Sequence, residues 1–265
     1  MREIKLTQIW LYPIKSLGGI SLLNAQVLGK GLRFDRRRML VDDDNTAITQ
    51  RAHPKMALFK TSISNEQLYV KFGEDSLRIS LKEQDLSRPM DVTIWNDKVK
   101  AFEVGSIQSE WFSEMLGFRC KLIFFPEENE RPVDQRYHVN NEDVSLADAY
   151  PFMIIGQSSL DDLNSKLQEP IPMNRFRPNF VFEGGEPYEE DQWRNFSIGD
   201  VRFVGVKRCD RCIMPTINQD TAEKGMEPLK TLASYRKWDN KIYFGQNLVA
   251  LDENVVNVGD RIVLE

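Results

Sequence analysis

The first half of the chain alternates apolar and polar residues with a period near two, in short runs separated by turn residues. "EIKLTQIWLYPI" (residues 3–14) is apolar with partial alternation. "RRRMLVDDDNTAIT" reads as a strand running into an acidic turn and a second strand. "QLYVKFGEDSLRISL" predicts a hairpin over Gly73, Glu74 and Asp75, and "MDVTIWNDKVKAFEV" predicts another with Asn96-Asp97 at the bend. The period changes at residues 106–117, where Trp111, Phe112, Met115 and Leu116 fall on one helical face and Gly117 ends the helix. "RCKLIFFPEENERPVD" then gives a strand that closes in an acidic, proline-containing loop.

In the second half "PFMIIG" is a short buried strand. "SSLDDLNSKL" predicts a helix capped by Ser158, with Asp161 three residues on and Leu160, Leu163 and Leu167 facing inward. Strands return at "NFVFEGG", "VRFVGV", "KIYFGQNLVAL" and "RIVLE". The pattern predicts a mainly β protein with a few helices, an α+β arrangement in two pieces. Short strands at close spacing suggest a barrel or sandwich for the first piece, over 1–120, and the second, over 121–265, is again mainly strands.

The 265 residues suffice for two cores, and a hydrophobic share of 41% with 28% charged residues is that of a globular protein. The net charge of −5 and pI near 5.3 argue against a general nucleic-acid binder. No stretch is long and apolar enough to cross a bilayer, and no signal or transit segment is evident. Three cysteines without a signal peptide fit a reducing compartment, so a cytoplasmic protein with neither a membrane nor a nucleic-acid partner is expected.

Cys209 and Cys212 stand in a C-x-x-C spacing within "KRCDRCIMPTIN" (207–218). A zinc site needs a second ligand pair, and Cys120, His53 and His138 are lone and scattered. A thioredoxin-like pair would open a helix, whereas "IMPTINQDT" carries a proline and β-branched residues that do not propagate one. A single thiolate on a soft metal whose other ligands come from a cofactor remains, with Lys207, Arg208 and Arg211 helping to keep the sulfur deprotonated. The stretch alone favours an inert buried cysteine beside solvated basic side chains.

Cationic residues recur elsewhere. "YPIKSLGG" (12–19) joins Lys15 and Ser16 to a glycine pair at a strand end, without P-loop spacing. "FDRRRMLV" (34–41) sets three arginines in what reads as a strand, so Arg36 and Arg38 would face one side and Arg37 the other. An arginine facing inward demands an anionic partner. "MNRFRPNF" (173–180) adds Arg175, Arg177 and Asn179. With a cysteine, these pieces describe a pocket for a phosphate-bearing cofactor.

In this order the pieces resemble the MOSC family, with its N-terminal MOSC β-barrel domain, and within it the mitochondrial amidoxime-reducing components and their bacterial relatives. "YPIKS" and "GLRFDRRRMLVD" resemble the N-terminal domain. "YPFMIIGQSSLDDLN", "NRFRPNFVFEGGEPYEED", "IGDVRFVGVKRCDRC", "LKTLASYR" and "FGQNLVALDENVVNVGD" resemble the MOSC domain.

The resemblance implies a molybdenum cofactor (molybdopterin) and a molybdenum-dependent oxidoreductase that reduces N-hydroxylated compounds by transfer of the N–O oxygen to molybdenum. Carried over by position, Cys212 ligates the metal and Asp148 is an acidic residue close to it. Lys15, Ser16, Arg37, Arg177 and Asn179 hold the cofactor, with Asp210 and Arg211 beside the ligand. Ala149 and Tyr150 stand where relatives have a Thr-Ser pair. Electrons are expected from a separate reductase or small electron-transfer protein, because no iron–sulfur cysteine cluster is present. A non-catalytic cofactor carrier and a thiol-redox protein using Cys209 and Cys212 remain as alternatives.

Overall fold

The computed structural model describes residues 3–82 and 86–265. Seven strands close into a barrel in the order Phe152–Gly156, Phe180–Glu183, Ile4–Leu11, Arg261–Leu264, Asn195–Ile198, Val201–Asp210 and Lys241–Ala250, the last pairing back onto the first. The Ile4–Leu11 strand comes from the start of the chain and pairs antiparallel with both Phe180–Glu183 and Arg261–Leu264. Its alternation places Ile4, Leu6, Ile9 and Leu11 inside. The barrel interior is largely aromatic. Phe152 stacks on Phe180 at 5.7 Å, and Phe203 meets both rings edge-on.

The rest of the first half forms smaller sheets. Arg38–Val41 pairs with Lys121–Phe124, which pairs with Asp97–Glu103 and through it Pro89–Ile94. Lys60–Ser64, Gln67–Phe72 and Asp75–Ser80 form a meander. Arg38–Val41 is buried along its whole length, with Leu40 in one core and Met39 and Val41 in another. The expected break at residue 120 thus falls just before a strand, Lys121–Phe124, that pairs into the first half's sheet. Likewise the first strand belongs to the second half's barrel.

Local expectations fare well. The helix spans Ser106–Leu116 and stops at Gly117, whose φ of 82° is a left-handed cap. One hairpin turns over Gly73-Glu74, and the other turns over Trp95-Asn96, one residue earlier than expected, with Trp95 at φ 56°. The second helix runs Gln157–Asn164 with Gly156, not Ser158, at its N-cap, and the Ser158 hydroxyl is buried without a partner. Leu160 and Leu163 are buried and Leu167 packs partly against them.

The start of this helix is held by Glu190, a fully buried carboxylate that accepts bonds from Gly156 N (3.1 Å) and Ser159 Oγ (2.9 Å). Burial pushes its pKa from 4.5 up to about 7, against the pull of these donors. The native state keeps this proton up to about pH 7, while the unfolded chain releases it near 4.5. The stability that Glu190 contributes is therefore full below pH 4.5 and lost as the pH rises through 7. Glu190→Gln is expected to remove this dependence and to be the more stable protein at pH 8, by on the order of 1–3 kcal/mol. Urea midpoints of both proteins at pH 5 and pH 8 check it. An equal pH response in the two would refute it.

Candidate functional site

The Val201–Asp210 strand carries two register shifts, one between Gly205 and Lys207 and one between Arg208 and Asp210. Gly205 permits the first, since a Cβ there would lie 2.1 Å from Trp193 O. The strand end delivers Cys209, Asp210, Arg211 and Cys212 to the rim of an open cleft. That cleft is lined as well by Lys15, Ser16, Arg36, Asp148, Ala149, Tyr150, Arg177 and Asn179. The cleft is open to solvent, with ≈ 880 Å³ of empty space counting its mouth. A second recess of ≈ 380 Å³ opens beside Arg177 and Tyr12, bounded by Trp10, Lys60, Asn174 and Gln219.

Lys15 is fixed at the strand end by its own N–H, which donates to Arg38 O at 2.7 Å. Its buried Nζ donates to Leu146 O at 2.9 Å and to Asp148 Oδ1 at 2.6 Å. Burial pulls the Lys15 pKa down to about 8, with the Asp148 charge opposing the shift. Asp148 is half-exposed and accepts three donors from the other half of the chain: Lys15, Arg51 Nη2 and Trp95 Nε1 (3.3 Å). Burial opposes its ionisation, but the charges of Lys15 and Arg51 outweigh that and hold the carboxyl well below the usual range.

Arg36 and Arg177 both lie against the Tyr12 ring, at 4.4 and 4.2 Å. Arg36 donates to Asp35, to Asn179 Oδ1 (3.4 Å) and to Arg177 O (3.2 Å). The fully buried Asp35 also accepts from Tyr12 N and Asn179 Nδ2. Arg177 adopts φ 57°, is buried, and has its pKa pulled down by burial to about 10. Its Nη2 and the buried Oγ of Ser16 have no partner in the protein. Buried donors left open at a cleft suit an oxygen-rich anion.

All but one of the expected site residues line this cleft, and the exception is Arg37. Arg37 turns the other way, where it donates to Glu127 at 2.8 and 3.0 Å and to Lys30 O and Asp35 O. Arg36 takes the cleft position. Strand alternation fails here because the strand begins only at Arg38 and Arg36 has a φ of 49°. Arg38 faces inward beside Phe124. Its Nε and Nη1 lack partners, so the anionic partner expected for an inward arginine is not found there among the described residues.

The basic residues around the cysteines are likewise redistributed. Arg208 packs between Trp238 and Tyr243, and Lys207 pairs with Asp210 at 3.6 Å. Asp210 also accepts from Lys241 at 3.0 Å. Arg211 donates to Cys209 Sγ at 3.1 Å, to Met153 Sδ and to Phe176 O. Burial pushes the Cys209 thiol up despite Arg211. Cys212 is exposed and free, and its partner is Arg51, whose Nε donates to Sγ at 3.1 Å. Sequence reading missed Arg51 and Trp95. Neither "TQRAHP" nor the hairpin tip "IWND" carries a signal beyond a charge or an exposed aromatic.

Among the described residues no three His, Cys, Asp or Glu side chains converge as metal ligands. A metal at Cys212 would therefore find at most two such ligands among the described residues. Matches to family models cover both halves: the MOSC N-terminal beta barrel domain over residues 3–119 and the MOSC domain over 141–263. The chain belongs to the MOSC family.

Relatives of this MOSC protein match it over most of its length. Mitochondrial amidoxime-reducing component 1 of Mus musculus is 30% identical over 97% of this chain and 81% of its own. Mitochondrial amidoxime reducing component 2 of Rattus norvegicus is 32% identical over 89% and 73%. The molybdenum cofactor sulfurase of Oryza sativa subsp. japonica is 32% identical over 92% of this chain but 32% of its own length. The MOSC protein thus matches one part of the sulfurase.

Proposed function

We propose that the cleft holds a molybdenum pterin cofactor and that the protein reduces N-hydroxylated small molecules, using electrons from a separate donor protein. The observation that carries this reading is the exposed Cys212 thiol at the rim of a cleft walled by Lys15, Arg36 and Arg177, with two buried, unpartnered donors on its lining residues Ser16 and Arg177. The adjoining recess beside Arg177 suits an elongated ligand. The names of the amidoxime-reducing relatives support the substrate class.

When bound, the cofactor supplies two-electron redox chemistry and a soft metal that accepts a thiolate. Cys212 is its protein ligand. Lys15, Arg36 and Arg177 offset the cofactor's negative charge, while Ser16 Oγ and Arg177 Nη2 donate to its oxygens. Asp148 stays ionised across the working range and orients Lys15, whose Nζ donates to its Oδ1 at 2.6 Å.

Protein made in a host that synthesises the cofactor is expected to contain molybdenum and pterin near one per chain. With a chemical reductant it should convert an amidoxime or a hydroxylamine to the amidine or amine. Loaded protein that turns over neither substrate would favour the carrier reading. Cofactor uptake by the empty protein should also weaken as the pH rises through about 8, where the Lys15 ammonium loses its proton. That limb should vanish in Lys15→Met. A limb that survives the substitution would assign it to another group.

A further inference from the structure

Arg51 precedes the Pro54–Leu58 turn in the first half of the chain, yet its side chain contacts two residues of the second half. Nε donates to Cys212 Sγ at 3.1 Å, and Nη2 donates to Asp148. The guanidinium lies 4.6 Å from the centre of the Trp95 ring, whose own Nε1 donates to Asp148 at 3.3 Å. Trp95 sits at a hairpin tip, so two separate elements of the first half brace the same carboxylate. The Arg51 backbone is tied across the halves too, its carbonyl accepting from Lys224 Nζ at 3.0 Å. The side chain is only 14% exposed, which leaves its charge little screened by solvent.

We propose that Arg51 is a positioning residue for the sulfur ligand, holding Cys212 Sγ and Asp148 in fixed relation and setting a positive charge against the sulfur. A guanidinium is planar and its donors are rigidly spaced, so one group on both sulfur and carboxylate fixes their separation in a way that a lysine ammonium does not. Lys207, Arg208 and Arg211 cannot substitute, because each is engaged elsewhere. The redox part of the role rests on the molybdenum reading. A hydrogen bond to a ligating sulfur withdraws electron density, and a nearby cation favours the more electron-rich state of the metal. Loss of Arg51 therefore shifts the metal's reduction potential in the negative direction.

The first test uses cofactor-free protein. Cys212 labelling is followed with an anionic aryl disulfide and with a neutral dipyridyl disulfide, and the label is located by peptide mass analysis. Wild type should favour the anionic reagent, with a preference that salt weakens. R51Q should reduce that ratio several-fold, and R51K, which keeps the charge, should restore most of it at a similar melting temperature. An unchanged ratio in R51Q would overturn the proposal.

In loaded protein, R51Q at equal metal content should show a more negative midpoint potential than wild type, followed by electron paramagnetic resonance. An equal midpoint would overturn the redox part. Wild type that takes up no molybdenum from a competent host would sink the cofactor reading, and the labelling ratio would still decide the role of Arg51.

Discussion

Cys212→Ala is expected to lose molybdenum and N-reductive turnover to background, while Cys209→Ala keeps most of both. The asymmetry follows from how the two sulfurs are held. Cys212 is exposed at the cleft rim and accepts only from Arg51, so its lone pairs remain open to a metal. Cys209 is half-buried, held by Arg211 Nη1, and has its thiol pushed up by burial, which disfavours the thiolate that a metal or a disulfide exchange requires. Metal analysis of both variants beside wild type, with turnover under a chemical reductant, is the check. Equal loss at the two positions would instead point to a dithiol working as a pair.

Arg177→Met is expected to move stability and cofactor retention in opposite directions. Arg177 is buried with Nη2 unpartnered and its pKa pulled down to about 10 by burial, so the empty protein carries an incompletely compensated cation. An apolar chain of similar length removes that cost and should stabilise the cofactor-free fold by on the order of 1–3 kcal/mol. The left-handed φ of 57° is equally unfavourable for Met and Arg, so it does not enter the difference. Pterin content after purification should fall sharply in the same variant, because a buried donor and a charge that face the ligand are gone. Urea midpoints of cofactor-free protein and pterin content of purified protein test the two signs separately. Lower stability of the empty variant would mean that the Tyr12 stack outweighs the buried charge.

Much of the architecture was legible because period and turn chemistry are local. The Ser106–Leu116 helix, the hairpin over Gly73-Glu74 and the second half's barrel strands other than Asn195–Ile198 follow from side-chain spacing and turn residues. What escaped was non-local. No pattern in "EIKLTQIWLYPI" tells that this strand pairs with residues near 180 and 262. The site shows the same division. Residues marked by a motif gathered at the cleft, but choosing among three consecutive arginines needed the backbone, since the resemblance pointed to Arg37 whereas Arg36, at a positive φ ahead of the strand, faces the cleft. Arg51 and Trp95 act only through tertiary contact, and single residues in turns carry no periodic signal to read.

The placement of Ile4–Leu11 between Phe180–Glu183 and Arg261–Leu264 ties the order of synthesis to the readiness of the site. The earlier strand waits for a neighbour made much later, and until then its edge and the barrel seam stay open. Lys15 and Ser16 follow that strand directly, while Cys212 lies on the far side of the seam. A nascent chain therefore carries Lys15, Ser16 and Cys212 in its sequence before it has a closed barrel to present them. A ligand that touches both sides would meet them together only once Arg261–Leu264 is in place, and the two matched halves, expressed apart, would each lack strands that the other supplies.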